Sequence, residues 1–183
     1  MKLVEDNCCL IIIDIQEKLL PHIFNDRLVK SNSDKLIDLF SSLEIPIFCS
    51  EQYPKGLGPT VKEIKNKLQT VNAHFFEKTS FSCFNSSELM KKLKLLKIKQ
   101  IVLVGIETHI CVLQTALDFL SKSFNVYVVE EAIGSRNKQH HNMGIQRMIN
   151  DGVSLINSEM VFFELINDSN HKKFKQLSKK FIE

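Results

Sequence analysis

Glycine is scarce, at six residues in 183. None of the six forms a Gly-x-Gly-x-x-Gly turn, and the first apolar run leads straight into Gln16-Glu17-Lys18-Leu19. A dinucleotide needs a glycine-rich turn whose backbone can approach its phosphates, so neither a dinucleotide nor any other cofactor is expected. Cysteine pairs of the C-x-x-C kind are missing as well. The five cysteines are odd in number and Cys8 adjoins Cys9, which reads as free thiols in a reducing compartment, most of them packing. The longest apolar run, Cys8 to Ile13, is far short of the ~20 residues a membrane helix requires. No charged segment followed by an apolar stretch and a small-residue cleavage site stands near Met1, so no secretory leader is expected and the cytoplasm is the expected location. Surplus charge is small. The 24 basic and 21 acidic residues leave +3, and the tail from residue 171 carries five lysines against one glutamate. A near-neutral body lacks the basic face of a nucleic-acid binder, so neither nucleic acid nor membrane is expected as a partner.

What is present is an ordinary globular mixture, 44% apolar and 25% charged. A chain of this size buries about 70% of its unfolded surface and needs no disulfide staples, and residues 1–183 read as one domain. Short apolar runs alternate with helical stretches. Cys8–Ile15 is continuous and apolar, as in a parallel strand buried on both faces. Further strands are expected at Ile45–Ser50, Ala73–Glu77, Gln100–Ile106, Asn125–Glu131 and Val153–Ile156. Helical periodicity marks Leu28–Leu43, Pro59–Leu68, Asn85–Lys97, His109–Ser121, Lys138–Asn150, Ser158–Ile166 and Asn170–Ile182. Asn85 with Glu88 resembles a capping box. The stretch Phe24–Ser33 reads as a polar, flexible rim. Six strands alternating with helices predict an α/β fold, a parallel sheet covered on both faces. Ligands of such sheets bind at the carboxyl ends of the strands.

Three strand ends carry chemistry. The first ends in Asp14-Ile15-Gln16, and an acid after six apolar residues is costly to bury without a partner. The third leads into Glu77-Lys78-Thr79. The fourth runs into Gly105-Ile106-Glu107-Thr108-His109-Ile110-Cys111, which places Cys111 at the start of a helix. A helix N-terminus and a nearby cation both lower a thiol pKa. Singly, each residue has a plain structural use as a cap, a solvated lysine or a small buried hydrophobe. Together they compose an activated nucleophile, with backbone N–H groups ahead of the helix available to an oxyanion.

The segments Ile-Ile-Ile-Asp14-Ile-Gln16, Lys78 with Phe81-Ser82, and Val-Gly105-Ile-Glu-Thr108-His-Ile-Cys111-Val resemble those of the isochorismatase-like cysteine hydrolases. The resemblance runs from about Asn7 to Glu164. Ser50-Glu51-Gln52-Tyr53-Pro54-Lys55-Gly56-Leu57-Gly58 and Arg136 are similar to the isochorismatase domain-containing branch. The resemblance implies a Rossmann-like three-layer α/β/α sandwich with a six-stranded parallel sheet. It implies a catalytic triad of Asp14, Lys78 and Cys111, with Cys111 forming a thioester, Asp14 shuttling protons and Lys78 orienting both. It also implies a cis peptide at Ile106–Glu107, oxyanion donors at the N–H groups of Glu107 and Cys111, and a homo-oligomer. The nicotinamidase branch carries an aspartate and histidines after the second strand, whereas here no histidine stands between His22 and His74. No metal is therefore expected. The presence of Cys111 favours thiol-dependent cleavage of an amide or carbamoyl C–N bond in a small molecule. The competing reading is a non-enzymatic oligomeric scaffold with a vestigial site, against which the complete triad counts.

Gln16, Tyr53, Phe81, Thr108 and His109 are candidates to line the substrate pocket. Gln16 also suits a supporting hydrogen bond, and Phe81 and Phe84 also suit core packing. His140 and His141 read as helix surface, because adjacent helical side chains diverge. The tail lysines 172, 173, 175, 179 and 180 flank Phe174, Leu177, Phe181 and Ile182, the pattern of a helix docked by its apolar stripe.

Overall fold

A computed structural model describes residues 1–182. Its strands are β1 (Cys8–Ile13), β2 (Ile47–Gln52), β3 (His74–Lys78), β4 (Gln100–Ile106), β5 (Asn125–Gly134) and β6 (Ser154–Ile156). The helices are α1 (Asp26–Ser42), α2 (Pro54–Leu57), α3 (Lys62–Thr70), α4 (Ser87–Leu95), α5 (Leu113–Ser121), α6 (Lys138–Asn150), α7 (Ser158–Ile166) and α8 (Phe174–Phe181). The sheet has the order β3-β2-β1-β4-β5-β6 and every pairing is parallel. The chain winds outward from β1 to β3, returns to the centre, then winds the other way through β4 to β6. The direction reverses between β1 and β4, which makes their carboxyl ends the natural crevice.

The period of two along β1 explains its continuous apolar run. Cys8, Leu10 and Ile12 face one core, built with α1, α3, α7 and α8, while Cys9, Ile11 and Ile13 face the other, built with α4, α5 and α6. Gly105 lies opposite Ile13 with φ 115°, and a Cβ there would strike the Ile13 backbone. Only glycine lets β4 approach β1 at this point. On the outer face α8 docks as its stripe suggests. Leu177 is buried, and Phe181 stacks on Phe162 at 5.0 Å. Lys180 pairs with Asp38, and Lys173 donates to the Ser42 carbonyl.

Several boundaries differ from the sequence pattern, for physical reasons. β1 stops at Ile13, because Asp14 turns the chain with a positive φ of 51°. β2 begins after Pro46, which lacks an N–H, and extends through Glu51 and Gln52, which pair with Glu77 and Lys78 of β3. β5 continues to Gly134 past two glutamates that hide its end. Ser86, not Asn85, caps α4, its hydroxyl accepting from Leu89 N at 3.2 Å. α1 already starts at Asp26, so most of the stretch expected as a flexible rim is helical. Thr108–Val112 does not open α5 as a regular turn but forms a wide, π-type turn ahead of it.

Candidate active site

The sheet register brings the three strand ends together. Ser50 of β2 lies opposite Ile13, and Lys78 lies opposite Gln52. Asp14 follows Ile13 in the left-handed region, which Asp tolerates better than most residues. Its carboxylate is fully buried. Oδ1 accepts from the Ser50 hydroxyl at 2.7 Å, and Oδ2 accepts from Lys78 Nζ at 2.7 Å. Nζ also donates to Gln52 Oε1 at 2.7 Å and to the Phe81 carbonyl at 3.1 Å. The Lys78 carbonyl in turn accepts from Tyr53 N at 2.9 Å, which ties β3 to the chain leaving β2.

Burial is the largest influence on all three groups. It pushes the Asp14 carboxyl up, against the opposing pull of the Lys78 ammonium, of hydrogen bonds from Lys78 and Ser50, and of a smaller influence of Cys111. For Lys78 burial works against the charge, but the Asp14 carboxylate, with smaller contributions from Cys83 and Cys111, outweighs it and holds the ammonium above the ordinary lysine value. The Cys111 thiol is raised by burial first and by the Asp14 charge second, with Lys78 opposing. This reverses the sequence-based expectation of a lowered thiol. Cys111 sits within the wide turn, only 7% exposed, and its nearest carboxylate disfavours a second negative charge. Burial thus makes the Cys111 thiol harder to ionise and the Asp14 carboxyl more basic than their free counterparts. That arrangement can move a proton from sulfur to oxygen when the sulfur attacks.

The turn bearing Cys111 is tethered residue by residue. The Ile106–Glu107 peptide is cis. The Glu107 carboxylate accepts from Arg136 N at 2.9 Å and Nε at 3.0 Å, and its backbone carbonyl accepts from Ile110 N and Val112 N. Thr108 Oγ1 meets His141 Nδ1 at 2.8 Å, and His109 Nδ1 meets Ser135 Oγ at 3.0 Å. Gly144 of α6 faces the His109 backbone so closely that a Cβ would sit 3.0 Å from its Cα. His141 is therefore buried, not on the helix surface as the adjacent-pair reading has it, because α6 presses that side against the turn. Burial lowers its pKa, and His109 and Lys138 add to the effect.

The pocket candidates occupy different places. Gln16 is fully buried with its side chain turned to backbone. Nε2 donates to Gly58 O at 2.6 Å and Gln52 O at 3.0 Å, and Oε1 accepts from Gln52 N at 2.7 Å. Both polar ends of its side chain are taken up by backbone, which suits structural support. Tyr53 is 55% exposed, with its ring laid over Gly56 and φ at 38°. It borders a shallow cleft of about 400 Å³ with Pro54, Lys55, Glu77, Lys78 and Thr79. Phe81 is 53% exposed and meets Lys78 through its carbonyl. Thr108 and His109 belong to the Cys111 turn itself.

Ser50, Gln52 and Arg136, noted in the sequence only as marks of the resemblance, lie at the site, and Glu107, expected there through its backbone N–H, also contributes its side chain by pairing with Arg136. Ser50 and Gln52 are two apart on β2 and so share a face, the one signal available in the sequence. Cys83 is fully buried beside the same group, its thiol raised by burial to about 11. Among the described residues no group of three or more His, Cys, Asp or Glu side chains gathers as a metal could require.

Comparison with known proteins follows the same outline. The isochorismatase domain profile matches residues 8–160. Isochorismatase family protein 1B of Dictyostelium discoideum is 37% identical over 180 residues, covering 96% of this chain and 86% of that protein. The structure of MAR1 ribonuclease from Caenorhabditis elegans superposes with a TM-score of 0.94 at 37% identity, covering 100% of this chain and 93% of that one. The Escherichia coli YcaC gene product, described as an octameric hydrolase of unknown specificity, shares the fold with a TM-score of 0.91 at 24% identity, covering 100% and 91%.

Proposed function

This chain belongs to the isochorismatase domain family, and on that premise we propose that it is a metal-independent cysteine hydrolase of a small molecule, cleaving an amide- or carbamoyl-type C–N bond. One observation carries the reading: the buried Asp14 carboxylate is clamped between Ser50 and Lys78 at the strand ends that the Cys111 turn faces, and Asp14 and Cys111 each shift the other's pKa. Asp14 takes the thiol proton as Cys111 Sγ attacks the carbonyl carbon. The oxyanion forms against the N–H groups of Glu107 and Cys111. The C–N bond breaks, the proton held by Asp14 passes to the leaving nitrogen, and a thioester remains on Cys111. Water then attacks the thioester, giving one proton to Asp14. The C–S bond then breaks, the acid product departs, and the proton on Asp14 returns to the freed sulfur.

The low exposure of Cys111 suits a small substrate group. Metal independence is supported by Glu51, whose Oε1 is occupied by Thr60 N at 2.7 Å and Thr60 Oγ1 at 2.8 Å. The five buried free cysteines suit a reducing compartment. Self-association is part of the proposal, and exposed Phe24, Leu28, Tyr53, Phe81 and Met143 are apolar side chains that it would cover.

The test is a screen of primary amides, ureas and carbamoyl compounds for ammonia release, with Cys111→Ala and Asp14→Asn beside the wild type. Turnover lost in both variants, with unchanged circular dichroism, supports the reading. Turnover retained in Cys111→Ala refutes it. An oligoribonucleotide in the same screen addresses the ribonuclease name of one structural relative. Cleavage is not expected, because the Lys78 ammonium is occupied by protein oxygens and is not free for a phosphodiester.

A further inference from the structure

An ammonium has three N–H groups and no acceptor. The three nearest partners of Lys78 Nζ are Asp14 Oδ2 at 2.7 Å, Gln52 Oε1 at 2.7 Å and Phe81 O at 3.1 Å, with Ser80 O farther off at 3.4 Å. All are protein oxygens, so no N–H remains for a substrate. Lys78 is a fixed counter-ion, and Gln52 is the side chain that shares it with Asp14. Gln52 is itself held at every polar atom. Nε2 donates to Thr79 O at 2.8 Å, the backbone N donates to Gln16 Oε1, and the backbone carbonyl accepts from Gln16 Nε2. This also settles the amide's orientation: turned over, its NH2 would face an ammonium and its oxygen would face a carbonyl.

We propose that Gln52 is a positioning residue of the reaction centre: it holds the Lys78 ammonium against the Asp14 carboxylate, and Gln16 holds Gln52. The proposal rests on the reading of Asp14 as the base for Cys111. The position demands a neutral carbonyl acceptor. A carboxylate there would draw Lys78 toward itself and repel Asp14, and an apolar side chain would leave a buried N–H unpaired.

The experiment is alkylation of Cys111 by iodoacetamide across pH, followed by peptide mass spectrometry on the full chain. Wild type is compared with Gln52→Glu, Gln52→Leu and Asp14→Asn, and the thermal midpoint of each is recorded. The wild-type rate is expected to fall on the acid side as Asp14 is protonated. Gln52→Glu, nearly isosteric, sets an oxygen against the Thr79 carbonyl and a negative charge near Asp14, so it is expected to lower the thermal midpoint and to move that acid limb to higher pH. Gln52→Leu is expected to lower the neutral-pH rate by about 10- to 100-fold, the size of effect that follows displacement of a group remote from the reacting atoms. If Gln52→Leu does not fold, Gln52→Glu decides alone. A Gln52→Leu rate at neutral pH equal to wild type, or a Gln52→Glu profile that superposes on wild type, overturns the positioning role, since a merely structural residue would move only the thermal midpoint of Gln52→Leu. An Asp14→Asn profile that superposes on wild type overturns the underlying base reading instead.

Discussion

Replacing Lys78 by Met removes the counter-ion and leaves the Asp14 carboxylate stranded in the core. The two charged groups lie 2.7 Å apart, with side-chain exposures of 2% and 1%. At an effective dielectric constant of about 20 that separation corresponds to about 6 kcal/mol of attraction. Part of it offsets the cost of taking the ammonium out of water, so breaking the pair is expected to destabilise the fold by about 3–5 kcal/mol at neutral pH. The loss carries a pH signature. Burial already pushes the Asp14 carboxyl up, and without Lys78 it rises further. A carboxyl raised in the folded state binds more protons folded than unfolded, so stability falls as pH climbs from the unfolded value to the folded one. The deficit of Lys78→Met is therefore expected to be full near pH ~8 and to shrink toward pH ~4, where a protonated Asp14 needs no counter-ion. Lysine stays charged in both states across that window, so it adds no slope of its own. The chain has no tryptophan, so urea unfolding is followed by far-ultraviolet circular dichroism. Asp14→Asn combined with Lys78→Met is expected to cost less than the sum of the two single changes, because the neutral amide requires no cation. A Lys78→Met deficit below about 1 kcal/mol, the range of an exposed ion pair, or a deficit independent of pH, would refute the reasoning.

Three further outcomes follow from the same geometry. In Asp14→Asn the Cys111 thiol is expected to titrate at lower pH than in wild type, because the lost carboxylate is one of the causes that raise it; thiolate ultraviolet absorbance checks the direction. His141→Phe keeps an aromatic ring against the wide turn but removes the partner of the buried Thr108 hydroxyl. A loss of about 1–3 kcal/mol in thermal or urea unfolding is expected for an unpaired buried group. Gly105→Ala forces a Cβ onto the Ile13 backbone at a positive φ. Its expected cost is about 1–3 kcal/mol or more from overpacking and strain, seen as loss of soluble protein or of thermal midpoint.

The architecture was legible in the sequence wherever burial is two-sided. Cys8–Ile13 and Gln100–Ile106 lie in the middle of the sheet, so every position but Gln100 is apolar or small and the run stands out. Boundaries were lost where polar residues end a strand or interrupt it, as at Glu51-Gln52 of β2 and at Glu130-Glu131, beyond which β5 runs on to Gly134. Glu51 and Gln52 look like loop until β3 pairs with them. Asp14, Lys78 and Cys111 were legible for the complementary reason: each is a reactive side chain placed where an apolar run stops. Local pattern could not supply their mutual state. A helix start beside a cation predicts a lowered thiol, yet burial and the Asp14 charge raise it. Gln52 and His141 likewise read as loop and surface until β3 and α6 close over them. The sequence alone thus determined which residues lie along buried strands and which reactive groups end them. Only the tertiary structure decided which of those groups touch, and in which direction each pKa is pushed, because both depend on distances and desolvation between segments far apart in the chain.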